Sequence, residues 1–281
     1  MLNISTKIDG YTVALFDQLD QVINKLGLPY VVVGATARDL VLHHGYGAEI
    51  ERATKDVDFA IEVADWAAFE AIKQSLVAQG FTLTKAPQRL IGPKEEIIDI
   101  VPFGSIEDPP ATISWPPDGK VVMEVLGFHE AVEHAQWVRI RDKPVLDIPV
   151  VSPPGLAILK LIAWVDRSSD LRRKDALDLA YLLASYEAIP AIQDAVYDDM
   201  QIMEQYGFDQ ALAAAHFLGG HARSIARDTT QRRIAALARG QLTPLSVERL
   251  AEEMCSSYET QIDRRRRLLN AFFSGFGETP Q

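Results

Sequence analysis

A mixed α/β domain followed by an all-helical domain is the fold this sequence predicts, and three observations predict it. Short apolar, β-branched runs at residues 30–33, 56–63 and 96–101 are interleaved with stretches of helical period at 11–26 and 66–79. Strand-like runs then recur at 121–125, 137–140 and 145–151 without helices between them. The order α-β-α-β-α-β-β suits a mixed sheet rather than a regular doubly wound repeat. From Ser152-Pro153-Pro154-Gly155 onward the period is helical throughout, which divides the chain into residues 1–151 and 152–281.

Composition sets the outer bounds. A length of 281 residues suits about two domains, and 48 % hydrophobic with 24 % charged residues is the balance of an ordinary globular chain. The single cysteine, Cys255, excludes an intramolecular disulfide and a cysteine-built zinc site, and it suits a reducing cytoplasm. The first ten residues carry Lys7 and Asp9 and no apolar core, so no secretion signal is expected. No uncharged apolar run approaches the roughly 18 residues that span a bilayer, so no membrane partner is expected either. The net charge is −11, with 13 Lys and Arg against 22 Asp and Glu in residues 1–150, and 15 against 17 in the remainder. Such a chain has no general attraction for nucleic acid. Basic patches survive at Arg172-Arg173-Lys174 and at Arg264-Arg265-Arg266-Arg267. The second is a solvated helix face or an RNA contact.

Taken in order, residues 11–26 place Val13, Phe16, Leu19 and Ile23 on one helical face, and Gly27 ends the helix. Tyr30 to Val33 forms a short buried strand, Gly34 turns the chain, and a helix over 37–44 stops at Gly45 and Gly47. The second strand covers 56–63, and a helix over 66–79 buries Phe69, Ile72 and Leu76. A strand at 81–85 and another at 96–101, closed by Pro102, follow. Residues 105–120, with Pro109, Pro110, Pro116 and Pro117, read as an exposed loop. The second half reads as five or six helices over 154–166, 173–185, 189–206, 208–225, 228–239 and 246–272.

The chemistry concentrates around Asp56 and Asp58. On a strand, residues i and i+2 share a face, so the two carboxylates project together and repel each other unless a cation lies between them. A hard divalent ion such as Mg²⁺ takes such oxygens. A solvated, idle pair on an edge strand is the plain alternative. Asp99 interrupts the run Ile97-Ile98-Asp99-Ile100-Val101 on another strand, where a lone acid is costly unless paired, metal-bound or turned to solvent. Three acids from two strands would hold two Mg²⁺ ions, with Asp56 and Asp58 on both and Asp99 completing the site that activates an attacking hydroxyl. Gly34 and Ala35, at a strand-to-helix turn, let backbone N–H groups approach a triphosphate. The six histidines form no convincing metal box.

The run Val33-Gly34-Ala35-Thr36-Ala37-Arg38, then Arg52-x-Thr54-x-Asp56-x-Asp58-Phe59, then Asp99, resembles the polymerase-beta-like nucleotidyltransferase superfamily. Within it the arrangement is most similar to the AbiEii-like group of nucleotidyltransferase toxins. Leu156-Ala157-Ile158-Leu159-Lys160-Leu161 and Arg173-Lys174-Asp175-Ala176-Leu177-Asp178-Leu179 match that group's later signature, so the resemblance spans residues 30–185. It implies that Asp56, Asp58 and Asp99 bind metal, that Lys160 contacts the phosphates of an NTP substrate, and that Asp175 orders the site. It also implies a phosphate-facing turn at Gly34 and Ala35, where the family has Gly-Gly or Gly-Ser, with Thr36 or Arg38 compensating for the missing hydroxyl. On the residues alone, Lys160 could instead snorkel from its helix, and Asp175 and Asp178 could cap a helix or pair with Arg172 and Arg173.

Taken together, the expected activity is transfer of a nucleoside monophosphate from an NTP to a hydroxyl. The resemblance implies RNA, at the 3′ end of tRNA, as acceptor and an antitoxin protein as partner. A small antibiotic-type acceptor, a protein side chain, and a catalytically silent nucleotide-binding or interaction module remain the alternatives.

Overall fold

In the computed structural model, which describes residues 1–49, 56–109, 111–256 and 261–280, β1 (Leu2–Asn3) is followed by α1 (Gly10–Lys25). The Asp9 carboxylate caps α1 by accepting from the Thr12 N–H at 2.9 Å, and Val13, Phe16, Leu19 and Ile23 form its buried stripe. Next come β2 (Tyr30–Val33), α2 (Gly34–Arg38), a π-helical segment (Asp39–Gly45), β3 (Asp56–Val63), α3 (Trp66–Val77), β4 (Thr82–Leu83), β5 (Arg89–Ile91) and β6 (Ile97–Gly104). A hairpin of β7 (Thr112–Ser114) and β8 (Val122–Glu124), then α4 (Phe128–Glu133), β9 (Gln136–Asp142) and β10 (Val145–Val150), completes the first half. Arg52, Thr54 and Pro110 lie outside the described residues.

Eight strands make one mixed sheet in the order β1-β9-β10-β2-β3-β6-β5-β4. β3 is antiparallel to β2 and parallel to β6, and β5 is antiparallel to β6. Along β3, Val57, Phe59 and Ile61 are buried on one face, where Phe16 of α1 meets Phe59 edge-on at 5.9 Å. Asp56 and Asp58 project from the other face. Alternation along β6 puts Phe103 on that same face, further along, where Phe128 of α4 stacks on it.

The predicted mixed α/β sheet is present, with differences of detail that have physical causes. Pro102 does not close its strand: β6 continues to Gly104, with Pro102 opposite Ile61 of β3. β5 pairs with β6 only as far as Asp99, and the Ile100 N–H still donates to the Gln88 carbonyl; β5 has no residue opposite Pro102, so proline is tolerated there. The helix expected over 37–44 is a short α2 that widens into the π-helical segment. The expected loop at 105–120 holds β7 and the buried Trp115, whose ring packs on Trp66 and Phe69.

Contacts divide the chain into two units, Met1–Gly45 with Ile50–Ser152, and Tyr46–Glu49 with Pro153–Gln281. The second holds α5 (Pro153–Asp166), α6 (Arg173–Ser185), a 3-10 turn (Tyr186–Ala188), α7 (Pro190–Asp198), α8 (Met200–Gln205), α9 (Gln210–Ile225), α10 (Asp228–Ala238), α11 (Val247–Glu253) and α12 (Ile262–Gly275). Eight α-helices among the described residues replace the expected five or six. The segment 189–206 breaks at Asp199, which leaves helical backbone and caps α8 by accepting from the Ile202 N–H at 3.1 Å.

α9 and α12 cross with backbone nearly touching backbone. A Cβ on Gly219 would lie 1.9 Å from the Phe272 carbonyl oxygen, and one on Gly275 would lie 1.8 Å from that of His216. Glu253, at the end of α11, accepts from the indole N–H of Trp164 at 2.8 Å, from Arg172 at 2.8 Å and from Arg249 at 2.7 Å. The basic run in α12 is taken up by the fold: Arg264 pairs with Asp209, Arg265 donates to the Ala180 carbonyl, and Arg266 pairs with Glu248 and Asp263. No helix among the described residues is long and apolar enough to cross a membrane.

Candidate active site

A row of four register partners crosses the middle of the sheet. Val33 at the end of β2 pairs with Asp58 of β3, Asp58 with Asp99 of β6, and Asp99 with Arg89 of β5. Paired residues on neighbouring strands point to one face, so Asp58, Asp99 and Arg89 stand side by side, with Asp56 two residues along the same face of β3. All three aspartates are half-buried.

The turn after β2 is fitted against this row. Gly34 has φ +71°, and a Cβ there would lie 2.0 Å from Oδ2 of Asp58, so both the left-handed backbone and the close approach require glycine. The Thr36 hydroxyl donates to the Asp56 carbonyl at 2.8 Å. Its proton thus braces the turn on β3 rather than reaching outward. Ala35 is buried. Arg38 is 4 % exposed, and its guanidinium pairs with Asp39 at 2.7 Å.

Arg89 went unread in the sequence. Its Nε and Nη2 donate to the two carboxylate oxygens of Asp99 at 2.8 and 2.6 Å, a bidentate fork. Hydrogen bonding to Asp99 first, and the fields of Asp99, Asp56 and Asp58 after it, hold the guanidinium proton more firmly than usual. β5 is three residues long between Pro87 and Gly92-Pro93, too short for any period to show. The only hint was an arginine two residues before the β-branched Ile91 in a stretch read as loop.

Lys160 and Asp175 belong to the second unit and form a cluster of their own. The Lys160 ammonium, near the middle of the buried helix α5, lies 3.1 Å from Asp175 and 2.6 Å from Asp178. Arg167 reaches the other oxygen of Asp175 at 2.6 Å. Two carboxylates that are 1 % and 3 % exposed are thereby matched by two cations. A snorkelling Lys160 is excluded, because its head lies inside among acids. Arg172 and Arg173 are not the partners of Asp175 and Asp178: Arg172 is bonded to Glu253 and Arg173 to the Cys255 carbonyl. Arg167, just past α5, is the residue sequence reasoning missed here.

Asp56 and Asp58 offer hard carboxylate oxygens on one face, the donors that Mg²⁺ takes, so the donor chemistry fits a divalent ion. Asp99 offers the same chemistry, but both its oxygens are engaged by Arg89. Among the described residues no group of three His, Cys, Asp or Glu side chains converges as a metal site.

Comparison with known proteins first gives the class, nucleotidyl transferases. The model of the family described as "Nucleotidyl transferase AbiEii toxin, Type IV TA system" matches residues 17–253, and the chain belongs to that family. Among curated proteins no sequence match was found. Matches among solved structures include a solution structure of the antibiotic-resistance factor ANT(2″)-Ia, at 15 % identity over 71 % of this chain and 98 % of that one, with a TM-score of 0.35. The Thermotoga maritima CCA-adding enzyme complexed with tRNA matches at 13 % identity over 98 % and 83 %, with a TM-score of 0.28. A CCA-adding enzyme with CTP matches at 11 % over 95 % and 80 %, again with a TM-score of 0.28.

Proposed function

We propose that the chain uses Mg²⁺ to transfer a nucleoside monophosphate from an NTP to a hydroxyl of RNA, at the 3′ end of tRNA, and that an antitoxin protein restrains it in the cytoplasm. Membership of a toxin family supports the setting. The observation that carries the chemistry is the face-sharing row of Asp56, Asp58 and Asp99 beside the Gly34 turn. In this reading Asp56 and Asp58 hold the ion, and Asp99 faces the acceptor hydroxyl. The N–H groups after Gly34 approach the triphosphate. Lys160, paired with Asp175 and Asp178, keeps the buried acids of the second unit matched. Bound Mg²⁺ supplies neutralisation of phosphate charge, which is most of what this kind of transfer needs.

A second acceptor class, a small hydroxylated molecule of the antibiotic type, is favoured by the net charge of −11, which gives RNA no general attraction. Incubation of the protein with α-labelled NTPs, Mg²⁺ and either bulk tRNA or a panel of aminoglycosides separates the two. Wild type is expected to label RNA, and Asp58→Ala to lose about 10²-fold or more of that activity. Labelling of a small molecule alone would replace RNA as the acceptor and keep the chemistry. No labelled acceptor, together with no NTP-dependent rise in melting temperature, would overturn the enzymatic reading and leave a silent module.

A further inference from the structure

Three carboxylates in a row suggest two divalent ions; Arg89 changes that count. We propose that Arg89 is a positioning residue that stands in for a second divalent cation at Asp99, so that the row takes one such ion, at Asp56 and Asp58, when an NTP is bound. This rests on the nucleotidyl-transfer reading above and goes beyond it by fixing the number of ions and the role of a residue outside the family signature.

The geometry is specific. Arg89 is the register partner of Asp99 on the adjacent antiparallel strand, so the pairing of the backbones already brings the two side chains together. The fork then uses both Asp99 oxygens at once, which fixes the plane of the carboxylate as well as its charge. The backbone under Arg89 is held on both sides. Its N–H donates to the Ala86 carbonyl at 3.0 Å, its own carbonyl accepts from the Thr84 hydroxyl at 3.1 Å, and the Gln88 carbonyl accepts from Ile100 of β6 at 2.8 Å. Leu90, the next residue, is fully buried. The guanidinium is therefore delivered to Asp99 by the sheet, unlike a long surface side chain free to choose among partners.

Charge points the same way. A second ion placed on Asp99 would meet a fixed positive charge already bonded to both its oxygens, and like charges at contact distance repel. Asp99 then enters the reaction as a carboxylate oriented by Arg89 rather than as a metal ligand.

Mn²⁺ binding counted by electron paramagnetic resonance tests this in the full chain saturated with non-hydrolysable α,β-methylene NTPs. Wild type is expected to bind one Mn²⁺ per chain. Arg89→Gln, which keeps side-chain reach and removes the charge, is expected to gain a second ion, tightened by at least about tenfold. Arg89→Lys is expected to stay at one, and Arg89→Gln combined with Asp99→Asn to return to one. Two comparable Mn²⁺ sites in wild type, or a second site unmoved by Arg89→Gln, would overturn the inference while leaving nucleotidyl transfer standing. If Arg89→Gln does not fold, the wild-type and Arg89→Lys counts decide. Wild type binding no Mn²⁺ with any nucleotide would overturn the functional reading and this inference with it.

Discussion

Asp58 and Asp99 are register partners on neighbouring parallel strands, yet the two carboxylates have opposite surroundings. Asp58 lies against the bare backbone of Gly34, and Asp99 lies in the fork of Arg89. One side of the row is shaped by the absence of a side chain and the other by the presence of a cation.

Gly34→Ala tests the first side. The new Cβ would fall 2.0 Å from the Asp58 oxygen at a backbone angle that alanine rarely adopts. A loss of about 1–3 kcal/mol in stability is expected, read from urea unfolding. NTP transfer should fall by more than the unfolded fraction accounts for, because Asp58 must turn away. Unchanged transfer would mean that the position of Asp58 does not matter.

Lys160→Met leaves two buried carboxylates facing one arginine. Removing one partner of a buried ion cluster costs about 3–5 kcal/mol, so the urea midpoint should drop steeply. Adding Asp178→Asn should restore a good part of it, since the charge lost is then matched. A drop under about 1 kcal/mol, the value of an exposed pair, would show that the cluster is hydrated.

Gly219→Ala and Gly275→Ala each force the backbones of α9 and α12 apart at the same crossing. Each should destabilise by about 1–3 kcal/mol. The double variant should cost less than the sum, because the first separation makes room for the second methyl. Additive losses in thermal unfolding would show that the two contacts relax separately.

Burial lowers the pKa of His216 and of His221, each of which lies within hydrogen-bonding distance of a tyrosine hydroxyl, Tyr206 at 3.0 Å and Tyr186 at 2.9 Å. In the unfolded chain both rings protonate near pH 6.5, so below that pH the unfolded state binds more protons than the folded one. The stability they support is complete above about pH 6.5 and is lost as pH falls toward their depressed folded values. Melting temperatures from pH 7.5 to 5 should fall more steeply in wild type than in His216→Gln/His221→Gln. Parallel curves would remove the histidines from the account.

The sequence was most legible where one physical signal dominated. β2 and β3 are apolar, β-branched and bounded by Gly34 and Asp65, and their limits were read correctly as Tyr30–Val33 and Asp56–Val63. The shared face of Asp56 and Asp58 follows from strand period alone. Its link to Asp99 does not, because that depends on β3 and β6 pairing in one register among several. Arg89 was hidden for the same reason, compounded by the shortness of β5. Pro102 misled because its cost depends on whether a neighbouring strand is present, which is a property of the sheet. In the second unit the helices were legible by period, but Lys160 was not: a lysine among leucines reads as snorkelling until two acids on another helix are seen to enclose it.

The crossing of α9 and α12 also bears on where the chain can be cut. The family match stops at Glu253, yet Leu268, Leu269, Phe272, Phe273 and Phe276 beyond it are all buried. A fragment trimmed to the matched segment would keep the Glu253 bonds to Trp164 and Arg172 but strip the apolar cover from Gly219 and its neighbours on α9. The conserved-looking limit of a family is thus not a unit of solubility here, and such a fragment should aggregate through the uncovered face of α9.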